Sequence, residues 1–354
     1  MLTFSLMVIV FLLILVFAFF NGLHDIPNII AAMIASGSMK AKQAVILALI
    51  WEIIAPLAGG SMVAKAIVSL VRFDEMQSIV GKESILLVLG SAVSAAIIWN
   101  FITWRWGIPS SSSHALCGGL LGASLVCVRR LSIIRWGIAG FNPFALKGFA
   151  GVAAALFISP FLGFIAGFVV CKFMRFLLLR ATPKANEKLK KAQWITASGL
   201  AFAHGTNAAQ KFMGLSALVL VTGGAISDFR IGFGIKFACG LALCMGAFSG
   251  GWRIIKTVGT GIFRLRPEHG FDSQLASSLI ICGNSFIGGP VSSTHVVSST
   301  IMGVGTAVRQ KAVRWKKVFE IILAWFITLP MTFILGGLLY WIFHLGFRIL
   351  DFGF

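Results

Sequence analysis

Apolar stretches long enough to cross a bilayer recur along the whole chain. Residues 1–20, 85–101 and 148–171 contain no Asp, Glu, Lys or Arg, and residues 319–343 contain only Glu320. A hydrocarbon core about 30 Å thick is crossed by roughly 20 apolar residues in a helix, and lipid forces the backbone to satisfy its own hydrogen bonds. The pattern predicts an all-α membrane protein of about 10–12 transmembrane or re-entrant helices. The first run lacks a basic n-region and a small-residue cleavage pattern, so it is expected to be a retained spanning helix, not a signal peptide.

Composition agrees with this. Of 354 residues, 58% are hydrophobic and 12% charged, about half the charged share of a soluble domain and too few charges to cover a soluble surface. A net charge of +19 would suggest nucleic acid in a soluble protein. Here the basic residues sit between apolar runs, as the positive-inside bias predicts, so the expected partner is the lipid bilayer. Lys172, Arg175, Arg180, Lys184, Lys188, Lys190 and Lys191 form the densest cluster, opposed only by Glu187. They place a central loop in the cytoplasm, with a second basic loop at 309–317 and both termini outside. Arg129, Arg130 and Arg135 run against this bias. The six cysteines show no CxxC spacing and read as packing residues.

The chain repeats itself. Residues 107–122 read GIPSSSSHALCGGLLG and residues 288–303 read GGPVSSTHVVSSTIMG. A looser pair is FNGLHDIPN at 20–28 and AHGTNAAQK at 203–211. Gly22 precedes Pro109 by 87 positions and Gly205 precedes Pro290 by 85 (22 to 109, 205 to 290). Two unlike motifs recurring in one order at one separation mark a duplication. The expected organisation is a first repeat over 1–179, a basic cytoplasmic linker over 180–193 and a second repeat over 194–354. An outside N-terminus and a cytoplasmic linker require an odd number of crossings per half, hence inverted-topology repeats, with a site where they meet near mid-membrane.

The motifs carry polar chemistry into apolar surroundings. A Pro followed by hydroxyls suits the start of a helix, and a broken helix whose N-terminus faces a wet cavity suits an oxyanion. Ser111, Ser112, Ser113, Ser292, Ser293 and Thr294 are the expected donors to a tetrahedral anion; close helix packing is the plainer reading of the same serines. His114 and His295 occupy matching positions, and their role stays open. Asp25 is an intramembrane acid, a functional candidate by default. Asn28, one turn on, adds an oxygen on the same side. Glu52 also lies in an apolar run, where Lys211 or Lys236 could pair with it.

At these residues the sequence resembles the inorganic phosphate transporter (PiT) family of cation-coupled symporters, over nearly the whole chain. NGLHDIPN resembles the family's first signature, AHGTNAAQKFMG its second, and the two Pro-x-Ser-Ser-Ser/Thr-His segments its paired anion-binding hairpins. The resemblance implies phosphate moved with H⁺ or Na⁺, no other cofactor, and a homodimer in the cell membrane, the inner membrane of a bacterium. It implies phosphate at the six hairpin hydroxyls and cation coupling at Asp25, Asn28 and Asn207, with Na⁺ at Asp25 and Asn28 as the candidate metal; His114, His295 and Lys211 are accessory candidates. One departure stands out: Ala208 occupies the position of the acid that usually follows Asn207, so the halves match at the anion motif and differ at the cation motif.

Sulfate, also tetrahedral, is the alternative cargo, and an anion channel lined by the same hairpins is the rival of another class. A membrane-embedded serine hydrolase fits poorly, because Ser113 and His114 are mere sequence neighbours and no Gly-x-Ser-x-Gly elbow occurs. No catalytic residue is expected.

Overall fold

A computed structural model describes residues 1–137, 148–182 and 184–351; Pro183 in the expected linker and the last three residues lie outside it. Among the described residues the chain forms twelve α-helices. The first half carries α1 (Leu2–Ala35), α2 (Ala41–Ala58), α3 (Met62–Val68), α4 (Phe73–Trp106), α5 (Ser112–Val128) and α6 (Gly148–Leu177). The second carries α7 (Ala185–Thr222), α8 (Phe233–Phe248), α9 (Trp252–Lys256) with a π-helical turn at Thr257–Gly261, α10 (Pro267–Phe286), α11 (Ser293–Arg309) and α12 (Trp315–Asp351). Residues 185–193, expected in the linker, are therefore the opening turns of α7.

Among the described residues five helices (α1, α2, α4, α6 and α12) are long and apolar enough to cross a membrane, and α8 with α9 and its π turn, bent by 70°, has the form of a broken span or a re-entrant loop. The two hairpin helices, α5 and α11, have 17 residues each. Each half thus runs from a long polar-centred helix (α1, α7) through a short element (α3, α9) to a helical hairpin (α4–α5, α10–α11) and a proline-containing last helix (α6 with Pro160, α12 with Pro330).

The halves exchange packing partners. Helix α5 packs against α12 of the other half, and α11 packs against α6; likewise α1 lies on α8 and α2 on α7. The glycine that ends each repeated motif explains how closely the exchanged helices approach. A Cβ on Gly122 would fall 1.9 Å from the Phe333 carbonyl oxygen, and one on Gly303 would fall 2.1 Å from that of Phe164. Without a hydrophobic driving force between helices in lipid, such backbone contact supplies the dispersion that holds them together. The small apolar residues repeated in the sequence are thus the seam between halves, and the polar residues of α1, α5, α7 and α11 are left inside.

Candidate functional site

The site is built where α1 passes the N-termini of α5 and α11. Both hairpin helices begin alike. Ser111 and Ser292 adopt extended backbone at the N-cap, and each side-chain oxygen accepts the backbone N–H three residues on, from His114 at 3.1 Å and His295 at 3.3 Å. These two hydroxyls close their own helices, as N-cap serines do, and the next hydroxyls reach inward.

They converge on Asp25, which is 2% exposed. Its Oδ2 accepts from Ser112 Oγ at 2.9 Å and from Asn21 Nδ2 at 2.6 Å. Its Oδ1 accepts from Thr294 Oγ1 at 3.0 Å and lies 2.9 Å from His24 Nδ1. One carboxylate therefore ties the first turn of α5 to the first turn of α11. An oxyanion at two helix N-termini, with hydroxyl donors on each, is favoured by the orphan N–H groups and the helix dipoles. Asn28 completes the ring: its Nδ2 donates to Thr294 Oγ1 at 3.3 Å and to the His24 carbonyl at 3.1 Å. The amide oxygens of Asn21 and Asn28 are buried with no hydrogen-bond partner. Buried polar atoms are nearly always paired, so these two lone oxygens, on the helix that carries Asp25, are the atoms that could hold a hard monovalent cation together with that carboxylate.

Lys211 approaches from α7. Its ammonium, 2% exposed, donates to Ser112 Oγ at 3.1 Å and Ser113 Oγ at 3.0 Å. In the repeat alignment it stands at the position of Asn28. The second half thus brings a fixed positive charge to the hydroxyls where the first half brings amide oxygens and a carboxylate.

Other expected residues fall elsewhere. Asn207 donates to Ser285 Oγ at 2.9 Å on α10. Ser293 is buried beside Thr294. The rings of His114 and His295 lie 4.9 Å apart, with His295 stacked on Trp325 at 4.1 Å. Both line an apolar cavity of about 350 Å³ among Phe157, Phe161 and Phe326. Glu52 pairs with neither suggested lysine. His204 Nδ1 lies 2.7 Å from its Oε1, whereas Lys236 donates to the carbonyls of Leu57 and Gly59.

Three residues of the site escaped the sequence reading. Asn21 and His24 stand within the first signature, and Ser110 opens the serine run. His24 Nε2 is held by Thr103 Oγ1 at 3.1 Å and Ser110 Oγ at 3.3 Å. A carboxylate oxygen only accepts, so at the Asp25 contact the proton sits on Nδ1, and Nε2 then offers one lone pair to the hydroxyl pair.

The two hairpin connections differ in their neighbours. At the α4–α5 bend, Thr257 Oγ1 donates to the Gly107 carbonyl at 2.9 Å, Arg253 donates to the Arg105 carbonyl, and Trp325 Nε1 donates to that of Pro109 at 3.1 Å. At the α10–α11 bend, Gly288, Gly289 and Pro290 instead border a cavity of about 890 Å³ that also exposes Lys65, Arg135 and Asn284.

Comparison with known proteins gives consistent matches. The profile of the phosphate transporter family matches residues 21–336. A probable low-affinity inorganic phosphate transporter of Bacillus subtilis (strain 168) is 36% identical over 335 residues, covering 94% of this chain and 96% of the relative. One of the same description from Rhizobium meliloti (strain 1021) is 36% identical over 341 residues, covering 96% and 97%. A solved structure described as the sodium-dependent phosphate transporter superposes with a TM-score of 0.86 at 22% identity, covering 96% of this chain and 99% of that one, a likeness of fold.

Proposed function

The chain belongs to the phosphate transporter family, whose members are transporters and not enzymes, and from that premise we propose that it moves inorganic phosphate across the cell membrane by symport with a monovalent cation. The observation that carries this reading is the Asp25 carboxylate held at once by Ser112 of α5 and Thr294 of α11. The paired hairpin ends already hold one oxyanion, and a tetrahedral anion needs the same donors.

Coupling follows from counting protons. Each hydroxyl has one hydrogen to donate. While Ser112 and Thr294 donate to Asp25, they cannot donate to phosphate, and two anions side by side repel. A cation on the carboxylate, completed by the lone oxygens of Asn21 and Asn28, weakens both hydroxyl bonds and cancels the repulsion. Phosphate then takes Ser112, Ser113 and Thr294, with Lys211 as counter-charge. The cation enters first and the anion second. Na⁺ suits three oxygen ligands of this kind, and the solved structure of the same fold is described as sodium-dependent. Asp25 also favours phosphate over sulfate, because phosphate monoanion carries an O–H that the carboxylate can accept and sulfate carries none.

The duplicated element order and the basic stretch ending α6 and opening α7 support halves of opposite orientation. In that arrangement the hydrogen-bonded α4–α5 bend and the α10–α11 bend beside its cavity would face opposite sides of the membrane, as alternating access requires.

Purified protein in liposomes, given labelled phosphate with an imposed Na⁺ or H⁺ gradient, tests the proposal. Expected is accumulation above the external concentration, abolished by collapsing one of the gradients and little affected by sulfate. Equilibration without accumulation under either gradient identifies a channel; equal competition by sulfate removes the specificity argument.

A further inference from the structure

One buried acid takes no part in the scheme above. Glu52 on α2 and His204 on α7 are both 0% exposed, and their Oε1 and Nδ1 are 2.7 Å apart. The outer atoms, Glu52 Oε2 and His204 Nε2, have no partner among the described residues. A carboxylate and an imidazole, each half satisfied and sealed from solvent, are costly to keep.

Their place in the repeat gives the pair meaning. Aligning Gly22 with Gly205 sets His204 opposite Asn21, the residue that donates to the Asp25 carboxylate. The side chain before the signature glycine therefore touches a buried carboxylate in both halves. In the first half that acid lies four residues on, in the same helix. In the second half the corresponding position is Ala208, and the acid comes across from α2. The glycine makes room for it: a Cβ on Gly205 would sit 3.3 Å from Glu52 Oε2 and 3.0 Å from the Ala55 Cβ.

Resting on the symport reading, we propose that Glu52 and His204 form a proton-binding site, the second half's replacement for the missing acid, so that one proton travels with each phosphate in addition to the cation at Asp25. The chemistry selects a proton over a metal cation. A ring nitrogen is the side-chain partner of Glu52 among the described residues, whereas Asp25 has, besides His24, the Asn21 amide and the Ser112 and Thr294 hydroxyls. With Nδ1–H donating to Oε1, a proton from the aqueous side adds to His204 Nε2, and the pair passes from net charge −1 to 0. It leaves from the same nitrogen on the other side.

Charge balance supports the step. The elements packed on α2 are α1, α7 and α8, and they bring Asp25 and His24, His204 and Lys211, and Cys244 and Lys236. Lys236 is held on the carbonyls of Leu57 and Gly59, and Cys244 donates to the Leu49 carbonyl. Lys211 interacts electrostatically with both Asp25 and Glu52. With neutral histidines, one ammonium and two carboxylates leave the buried group at −1, and monoanionic phosphate makes it −2. A cation at Asp25 and a proton at His204 return it to zero before the loaded site has to move through a low-dielectric interior.

Glu52→Gln keeps an acceptor for Nδ1–H and removes the charge that holds the second proton; His204→Asn installs the first half's residue. Both are compared with wild type in liposomes at saturating Na⁺, with phosphate counted as monoanion. Wild type should show an apparent KM that rises with pH, up to about tenfold per unit where one proton must bind first. It should also carry one more positive charge per phosphate than either variant, read from reversal potentials. The variants should show a KM flat within about twofold. Where net uptake is lost, phosphate–phosphate exchange should persist, since exchange needs no net proton movement. Variants that keep the wild-type slope and charge, or folded variants that lose exchange as well, overturn the inference. A wild type that accumulates no phosphate removes the symport reading and this inference together, whereas accumulation with unchanged variants removes this inference alone.

Discussion

Asp25→Asn is the most informative perturbation, because in the scheme above the carboxylate is both the cation's ligand and the anion's competitor. In the wild type without cation, phosphate must take Ser112 and Thr294 away from Asp25, breaking bonds of 2.9 Å and 3.0 Å to an ionised acceptor. A hydrogen bond to a charged group contributes about 1.5–3 kcal/mol. Two of them set a barrier to cation-free binding of about 3–6 kcal/mol, or two to four orders of magnitude in Kd at about 1.4 kcal/mol per decade. Asparagine keeps the shape and a neutral acceptor, and it removes both the charged competitor and the cation's anionic ligand. Equilibrium binding of radiolabelled phosphate to purified protein, in Na⁺ against choline, should show wild-type Kd tightening by at least about a hundredfold. The variant should bind phosphate without Na⁺, with a Kd that moves less than about threefold, while accumulation in liposomes disappears. A variant whose affinity still climbs tenfold with Na⁺ would refute the competition, as would a wild type indifferent to both Na⁺ and pH.

Three further outcomes are expected. Lys211→Met removes the ammonium from Ser112 and Ser113 and should weaken phosphate binding by about one to two orders of magnitude, the worth of a lost charge-assisted bond, with the Na⁺ response retained; unchanged affinity would remove Lys211 from the site. Gly122→Val and Gly303→Val each drive a side chain into a facing carbonyl at about 2 Å and should lower thermal stability in detergent, at or beyond the roughly 3 kcal/mol upper range of overpacking, whereas Gly60→Ala, in open space, should not. Ala155→Cys, on the wall of the cavity at the α10–α11 bend, should react with a membrane-impermeant thiol reagent from one side only and be protected by conditions that load the carrier; reaction from both sides would contradict a sealed opposite bend.

The repeated hairpins were legible because duplication doubles the signal: two Pro-x-Ser-Ser-Ser/Thr-His segments at matching spacing point to paired helix starts. What a hydroxyl does there was not legible. Neighbouring helix residues differ by about 100° in direction, so a shift of one position separates the cap, Ser111, from the hydroxyl that reaches Asp25, Ser112. The same limit applies to the histidines. His114 and His295 match in sequence, yet their rings turn into an apolar cavity, whereas the unmatched His24 sits on Asp25. The family resemblance implies separate anion and cation sides, and the crossing of α1 with both hairpins brings Asp25, Ser112 and Thr294 into one cluster. The partner of Glu52 depends on how α2 meets α7, a tertiary fact that local pattern does not contain.

The exchange of partners between halves has a consequence for how the protein is made. The glycine face of α5 is complete at Val128, but its partner α12 begins only at Trp315. At about 5–20 residues per second, the ribosome needs roughly 10–40 s to supply it. During that interval α5, with its serines and its bare backbone face, waits in the membrane without the surface it was shaped for. The packing between halves around α5 is therefore completed only once α12 has been supplied. A chain interrupted before Trp315 would leave the Gly122 face of α5 without the backbone it packs against.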